Sequence, residues 1–545
     1  MGASKLALAA VVASLMFSAT AHAKPKLGVL LVFDQMPMWL LERYEPFFGK
    51  GGFGGLEGAM YSAWYPYAGT ETAPGHATLA TCSTPAVHGI ATNTWFHEGK
   101  AQYVTDDSRY PILAPTAADP AARLERGTSP RMLLVPTLSD AIKAESGGTA
   151  KVVTLSHKDR AAVLTAGQSA DLAVWYDVGL GRYTTSTAYA ETLPQWLLEQ
   201  GALLPLATRT SATWEPLPTP KGLEHLVPAD DRPGEAEKFF GRVFPHNLKD
   251  IDDDAKRKNT YRAVPQSIED LYALALLAVD NEHLGEDIET DLLVVSVSTT
   301  DVVGHSYGGD SLEQLDTLRR ADIALRHFMS ELKAKVNGDV VFVLSSDHGA
   351  PELPATIAAA GITVPTIAPV DITEAADAAL KKAAPRTTSR VQGFFSPQLF
   401  VDLADLDDVA QTKAIAAVRK ELEALPAVAH VYDMRQGRPD EDSFHEFMRQ
   451  SAPPSRAASV FVRMHPRVVL MEERGQTTGT DHGTPYTYDR RVPLIVSGPG
   501  VRRGRYAEPV DVRDVAATLA FLMGVSPPDA CQGKPVSAVG AKPPM

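Results

Sequence analysis

Six side chains in this 545-residue chain have the types and the setting that a metal centre needs. Asp34 closes the apolar run LGVLLVFD. Asp301 and His305 follow DLLVVSVSTT, and Asp347 and His348 follow DVVFVLSS. His482 belongs to a second DHG triplet, Asp481–Gly483, ahead of VPLIVSG. Carboxylate oxygen with neutral imidazole nitrogen is a donor mixture that suits zinc. Each fragment alone is weak. A lone DHG is often a turn, with Asp as a cap and Gly in a left-handed conformation. A DxxxH pair on a helix is usually solvated. Together, each fragment follows or precedes a run that reads as a buried strand. Open α/β sheets build their sites at the carboxyl ends of strands, so segments far apart in sequence can meet there.

A nucleophile and its anion-binding partners are the second requirement. The stretch GTETAPGHATLATCSTPAVHG, Gly69–Gly89, is rich in hydroxyls. Thr72 reads as the N-cap of a helix beginning APGHATLAT. Pro74 fits the second helical position, where no intrahelical donor is needed. A phosphate at that point would meet free backbone N–H groups and the positive end of the helix dipole. On these residues alone Thr70 competes evenly with Thr72. His76 lies one turn further on and reads as structural. Asn93, in ATNTWF, offers an amide donor. Lys158 and Arg160, in SHKDRAAV, are two apart and point the same way in extended chain. Arg can grip two oxygens with its fork while Lys acts as a point charge. The plainer reading of the pair is surface salt bridging.

The elements that must position these groups are legible as apolar, β-branched runs: LGVLLVFD, AKVVTLS, DLLVVSVS, DVVFVLSSD and VPLIVSG. Helical periodicity separates most of them, as in LRRADIALRHFMSELKAKV. This pattern predicts an α/β fold, a mostly parallel central sheet with helices on both faces. Residues 354–474 depart from it. QLFVDLAD, a helix over Gln411–Leu425 and AVAHVYD form a self-contained β-α-β pattern. It is expected to be an inserted α+β cap, splitting the core into residues 24–353 and 475–545. Ala207–Gln266, rich in Pro and charge, is expected to run over the surface.

Residues 1–23 have the form of a secretion signal: Lys5, the apolar LALAAVVASLMF, then AHA at the cleavage point. No other run is long and apolar enough to span a bilayer. A periplasmic or secreted monomer without a transmembrane anchor is expected. At 44% hydrophobic and 22% charged residues the chain is globular, and its net charge of −14 disfavours a stable nucleic-acid complex. An oxidising compartment permits a bridge between Cys82 and Cys531. Nothing in the sequence brings the two together, so buried thiols are the plainer expectation.

With these motifs in this order the chain resembles the alkaline phosphatase superfamily, in the branch that contains nucleotide pyrophosphatase/phosphodiesterases. Within it, the chain is most similar to secreted PafA-type alkaline phosphatases with a threonine nucleophile. The resemblance extends from GVLLVFDQM at Gly28 to about Gly524. It implies two Zn2+ ions, one held by Asp301, His305 and His482, the other by Asp34, Asp347, His348 and the nucleophile. The family segment TxPGH reads TAPGH here, which selects Thr72. The resemblance further implies that Asn93, Lys158 and Arg160 bind the terminal oxygens of a phosphate monoester, hydrolysed through a phosphothreonine intermediate. Diesterase relatives lack the Lys–Arg pair. The rivals are a phosphodiesterase or nucleotide pyrophosphatase on the same core and a non-catalytic metal-dependent binding protein. A sulfatase needs C/S-x-P-x-R, whereas CSTPA has its Pro one place late and no Arg.

Overall fold

The apolar runs become the central strands of a computed structural model that describes residues 24–540, except 54–57, 98, 117, 202–212, 236–237, 364, 436–441 and 472–478. The expected leader, residues 1–23, and the expected junction at Arg474 lie outside the described residues. Numbered along the chain, the main sheet contains β1 (Leu27–Phe33), β2 (Gly58–Trp64), β3 (Val152–Ser156), β4 (Leu172–Asp177), β5 (Arg182–Thr184), β6 (Asp291–Val297), β7 (Val340–Ser345) and β8 (Arg491–Ser497). Their spatial order is β2-β8-β7-β1-β6-β3-β4-β5. Short strands at Gly504–Arg505 and Val510–Asp511 pair with β2. From β7 to β4 every neighbour is parallel, with Leu27 opposite both Asp291 and Val340. β8 runs antiparallel to β7 and β2, and β5 antiparallel to β4.

Both faces of the parallel strands are buried, which is why these runs are apolar throughout rather than alternating. Val29, Leu31 and Phe33 of β1 face one core, with Leu271 and Leu274 of helix Gln266–Asn281 and Leu325 and Phe328 of helix Leu312–Lys335. Leu30 and Val32 face the other, with Leu519 and Met523 of helix Asp514–Met523. The expected α/β architecture with helices on both faces is the one observed.

Within residues 354–474 lies a separate four-stranded antiparallel sheet, in the order Arg390–Phe395, Gln398–Asp402, Val460–Met464, Val428–Asp433. Helices Pro369–Ala383 and Asp408–Leu422 pack on it around Leu380, Ile415, Val418 and Val431. The second helix starts three residues before the expected Gln411, because the Asp407 side chain accepts from Ala410 N and caps it. It also stops at Leu422 rather than Leu425. The Pro-rich excursion is anchored more firmly than its composition suggested. Trp214 is buried and donates from its indole nitrogen to Asp316 Oδ2 at 2.7 Å.

The cysteines correct the expectation of free thiols. Cys82 and Cys531 form a disulfide, with Cα atoms 4.5 Å apart across 449 residues of sequence. Cys82 is the left-handed C-cap of helix Thr72–Thr81, and its carbonyl also accepts from Gln532 N at 2.7 Å. The bridge therefore ties the far end of the TAPGH helix to the C-terminal segment. Reduction of the native protein is expected to remove about 2–4 kcal/mol of stability. Calorimetry with and without reductant should show a melting temperature several degrees lower for the reduced wild type, and no reductant response in Cys531→Ser. A wild type indifferent to reductant would contradict the bridge.

Candidate active site

Four neighbouring parallel strands deliver the site residues. Asp347 and His348 follow β7, Asp34 follows β1, and Lys158 follows β3. Asp301 and His305 lie one turn apart on helix Thr299–Tyr307, which follows β6, so both face the same side. His482 arrives on the loop before β8. Asp34, Asp301, Asp347 and His348 are buried, while His305 and His482 are half-buried. Gln35, which the sequence reading missed, holds this arrangement together. Its backbone is left-handed (φ 58°), its N–H donates to Asp347 Oδ1 at 3.1 Å, and its amide donates to Asp301 Oδ1 at 3.1 Å. Gly304 leaves the room it needs, since a Cβ there would lie 2.0 Å from Gln35 Oε1.

Whether these residues fit metal ions is decided by what their polar atoms lack. Asp34 Oδ1, Asp347 Oδ2 and His348 Nε2 are buried without a hydrogen-bond partner. Such atoms are costly to leave unsatisfied. His348 Nε2 lies 3.4 Å from Asp34 Oδ1 and 3.6 Å from Asp347 Oδ2. Two ligands of one tetrahedral zinc are separated by about 3.3 Å, so the spacing suits a shared cation. The other group centres on Asp301 Oδ1, with His305 Nε2 at 3.2 Å and His482 Nε2 at 3.8 Å. Each imidazole presents its other nitrogen, Nδ1, to a backbone carbonyl: His305 to Thr480, His482 to Thr70 and His348 to Gly349, at 2.9, 2.7 and 3.1 Å. Such partners fix the tautomer and leave Nε2 bare for a metal.

The grouping differs in detail from the expected trios. Donor atoms of Asp34, Asp347 and His348 converge, as expected. Those of Asp301 and His482 also converge with His348, whose ring stacks on His482 at 3.7 Å. Asp481 joins His305 and His482, and was missed because the second DHG was read only for its histidine. The electrostatics favour added positive charge. Burial pushes Asp347 up, and so does the neighbouring Asp34. His348 rises to about 9: burial opposes the proton, but Asp347 and Asp34 outweigh it. A divalent cation would take the place of that proton.

Thr72 sits between the cations. Lys158 Nζ and Arg160 Nη2 each lie 3.3 Å from Thr72 Oγ1. Lys158 Nζ is also 2.6 Å from both Asp34 Oδ2 and Asp301 Oδ2, so it is a buried bridge rather than a surface ion pair. Three local expectations need correction. Thr72 is the first residue of the helix and Glu71 is the N-cap. The first turn has few free donors: Pro74 has none, Ala73 N donates to Asn93 Oδ1 at 2.9 Å and Gly75 N to the Glu71 carbonyl. Arg160 is not in extended chain, because helix Asp159–Ala166 begins directly after Lys158. Asn93 is clamped by its own N–H to Glu71 Oε2 at 2.7 Å, and its amide NH2 is the donor it can offer.

His76 is buried and held by neighbouring groups. Its Nδ1 lies 2.8 Å from the Thr72 carbonyl and 3.2 Å from Asp347 Oδ2, and its Nε2 lies 2.8 Å from Ser296 Oγ. Thr70 donates to the Thr484 carbonyl at 3.1 Å, away from the cations. Cys82 is consumed by the disulfide.

The profile of the type I phosphodiesterase / nucleotide pyrophosphatase family matches residues 29–485. Alkaline phosphatase PafA of Elizabethkingia meningoseptica is 30% identical over 541 residues, covering 95% of this chain and 94% of that protein. A calcium-transporting ATPase of Myroides odoratus is 30% identical over 535 residues, covering 94% of each. The crystal structure of wild-type alkaline phosphatase PafA matches with a TM-score of 0.84 at 27% identity, covering 95% of this chain and 99% of that one.

Gly75 allows the Thr72 helix to reach the strand end that carries Asp347, since a Cβ there would lie 2.2 Å from the Asp347 carbonyl oxygen. Gly75→Ala must move one of the two. Elemental analysis of the purified variant is expected to show reduced bound metal with an unchanged far-UV spectrum. Full metal content would show that this contact does not govern the site.

Proposed function

This chain belongs to the type I phosphodiesterase/nucleotide pyrophosphatase family, in its PafA-like alkaline phosphatase branch, and from that premise we propose that it hydrolyses phosphate monoesters as a zinc-dependent alkaline phosphatase through a phosphothreonine on Thr72. The observation that carries this reading is the position of Thr72 Oγ1. It is 3.3 Å from each of two cations, one of which, Lys158, also contacts Asp34 and Asp301 of the groups that could hold metal. Asp34, Asp347 and His348 would hold one zinc, with Thr72; Asp301, His305 and His482 would hold the other, with Asp481 within reach. When bound, zinc supplies the positive charge that lowers a hydroxyl pKa and stabilises a leaving oxygen.

The chain's own residues would do the rest. Thr72 Oγ attacks phosphorus in line, the Oγ–P bond forms and the ester P–O bond breaks, releasing the alcohol. Arg160, Lys158 and the Asn93 amide hold the non-bridging oxygens. Water then attacks the phosphothreonine, a new P–O bond forms and the Oγ–P bond breaks, releasing orthophosphate and regenerating the Thr72 hydroxyl. Phosphoryl transfer depends mainly on positioning and charge stabilisation, so these three donors carry much of the work. A dianionic monoester has more charge for them to meet than a monoanionic diester, which favours monoesters over the diesterase reading.

We read residues 354–474 as a cap over this centre. Ser451 Oγ accepts from Ala68 N and Gly69 N at 2.8 and 3.0 Å, and Ser396 Oγ donates to the Gly483 carbonyl at 3.0 Å, next to His482. A periplasmic or secreted location is supported by the leader-like residues 1–23 and by the disulfide, which an oxidising compartment sustains. The transport named for the Myroides relative stays with that protein. Among the described residues of this chain no helix is long and apolar enough to cross a membrane.

Steady-state kinetics on zinc-reconstituted protein test the reading with an aryl phosphate, an aryl phosphodiester and an aryl sulfate. The monoester should have the highest kcat/KM. Thr72→Ala should lose on the order of a thousandfold or more in kcat while keeping its zinc. Arg160→Met removes a charge-assisted bond of about 1.5–3 kcal/mol. It should therefore lower monoester kcat/KM roughly 10- to 100-fold, and diester kcat/KM by less. A diester preferred by the wild type would support the diesterase instead, and near-normal turnover by Thr72→Ala would reject Thr72.

A further inference from the structure

Next to the cation pair a cavity of about 190 Å³ shares Lys158 and Arg160 with the site and adds Arg126 and Arg262, with Trp175 and Tyr176 from the end of β4. Two of its cations are already balanced. Arg126 is paired with Asp177, and Lys158 with Asp34 and Asp301. Arg160 and Arg262 have no such ion pair, although the charges of Asp159, which also lines the cavity, and Asp34 act on Arg160. Among the described residues neither has a carboxylate partner. The terminal nitrogens of Arg160 reach only the Tyr103 and Thr72 hydroxyls, at 3.2 and 3.3 Å, and Nη2 of Arg262 reaches Asn259 Oδ1. The Nε of each guanidinium is buried without a partner. Burial, and after it the charge of Arg160, pushes the Arg262 pKa below its ordinary value. Two neighbouring like charges with unspent buried donors are held at a cost unless an anion meets them. The reaction assigned to Thr72 does not use Arg262.

We propose that this cavity is a second anion subsite, in which Arg262 with Arg160 binds a phosphate group additional to the one at Thr72. Planar guanidinium forks match phosphate oxygens bidentately, and the cavity that Arg160 and Arg262 line is open enough to admit one. The subsite rests on the phosphatase reading, because the phosphate at Thr72 is what makes Arg160 common to both positions. The phosphate has two possible sources: free orthophosphate, or a second phosphoryl group on a bisphosphorylated substrate.

Calorimetric titration of the zinc-loaded enzyme with inorganic phosphate tests it. The wild type should bind two phosphates per chain and Arg262→Met one, with Arg262→Lys regaining the second more weakly. Matching near-UV spectra and melting temperatures would show that the variants are folded. The source is read from kcat/KM for a short bisphosphate against the singly phosphorylated alcohol. A wild-type preference of tenfold or more, lost in Arg262→Met, assigns the subsite to the substrate. Two bound phosphates without that preference assign it to orthophosphate. One phosphate bound by the wild type, or two retained by a folded Arg262→Met, overturns the subsite. Failure of the wild type to turn over an aryl phosphate would instead sink the phosphatase reading and leave the phosphate count as a separate result.

Discussion

Lys158 joins the two halves of the centre. Its ammonium is 2.6 Å from Asp34 Oδ2 and 2.6 Å from Asp301 Oδ2, in a site where both carboxylates are buried. Burial pushes the Asp301 pKa up, yet Lys158 and His305 outweigh it and hold the carboxyl well below its usual range. For Asp34, burial and the charge of Asp301 push upward, and Lys158 and His348 prevail. Breaking such a buried pair costs about 3–5 kcal/mol, because a charge is left alone in a poorly solvated place. The ammonium also assigns roles to individual atoms. By taking Oδ2 of each aspartate it leaves Oδ1 of each to face the imidazoles. The same ammonium is 3.3 Å from Thr72 Oγ1, so one side chain sets the spacing of both groups of candidate ligands and of the Thr72 hydroxyl.

That bridge is possible only because of strand order. Across the sheet, β7, β1, β6, β3 and β4 are consecutive neighbours. Their carboxyl ends supply, in the same order, Asp347 with His348, Asp34, Asp301 through its helix, Lys158, and the Trp175–Tyr176 wall of the second cavity. Neighbouring strands are about 4.8 Å apart. The sheet therefore acts as a ruler that places the candidate ligands, the Lys158 beside Thr72 and the arginine pocket at successive positions along one edge. The crossover connections put the residues of this row more than a hundred positions apart in places, which is why no local segment reveals the site.

Much of this was legible from residue type. Buried parallel strands are apolar on both faces, so β1, β3, β6 and β7 stood out without alternation, and polar residues at their ends had to be either capped or used. The polar residues that gather at these strand ends were legible for that reason. What the sequence did not disclose was pairing. The partition of His305, His348, His482 and Asp481 depends on ring stacking and loop path. The Cys82–Cys531 bridge depends on where helix Asp514–Met523 and the segment after it return to the TAPGH helix. Gln35 was invisible because its role comes from a left-handed backbone and a long amide, neither of which a sequence pattern marks. Arg262 was hidden in a Pro- and charge-rich stretch that looked like surface.

The correction at Thr72 changes how an anion would be held. An N-capping threonine would have placed a phosphate over several free backbone donors and the helix dipole. As the first helical residue, Thr72 instead stands before a turn whose donors are spent: Pro74 lacks one, Ala73 gives its own to Asn93 and Gly75 to Glu71. The charge must then be met by side chains. Arg160 and Lys158 both reach Thr72 Oγ1, and the Asn93 carbonyl oxygen, fixed by Ala73, turns the amide into the remaining donor. The helix start thus works less as an anion trap than as a jig, using its backbone to orient Asn93 and its first side chain to present a hydroxyl. Selectivity among phosphoesters would accordingly reside mainly in Arg160, Lys158 and Asn93, which substitution can change, with the N–H of Thr72 as the backbone donor of the first turn that these bonds do not use.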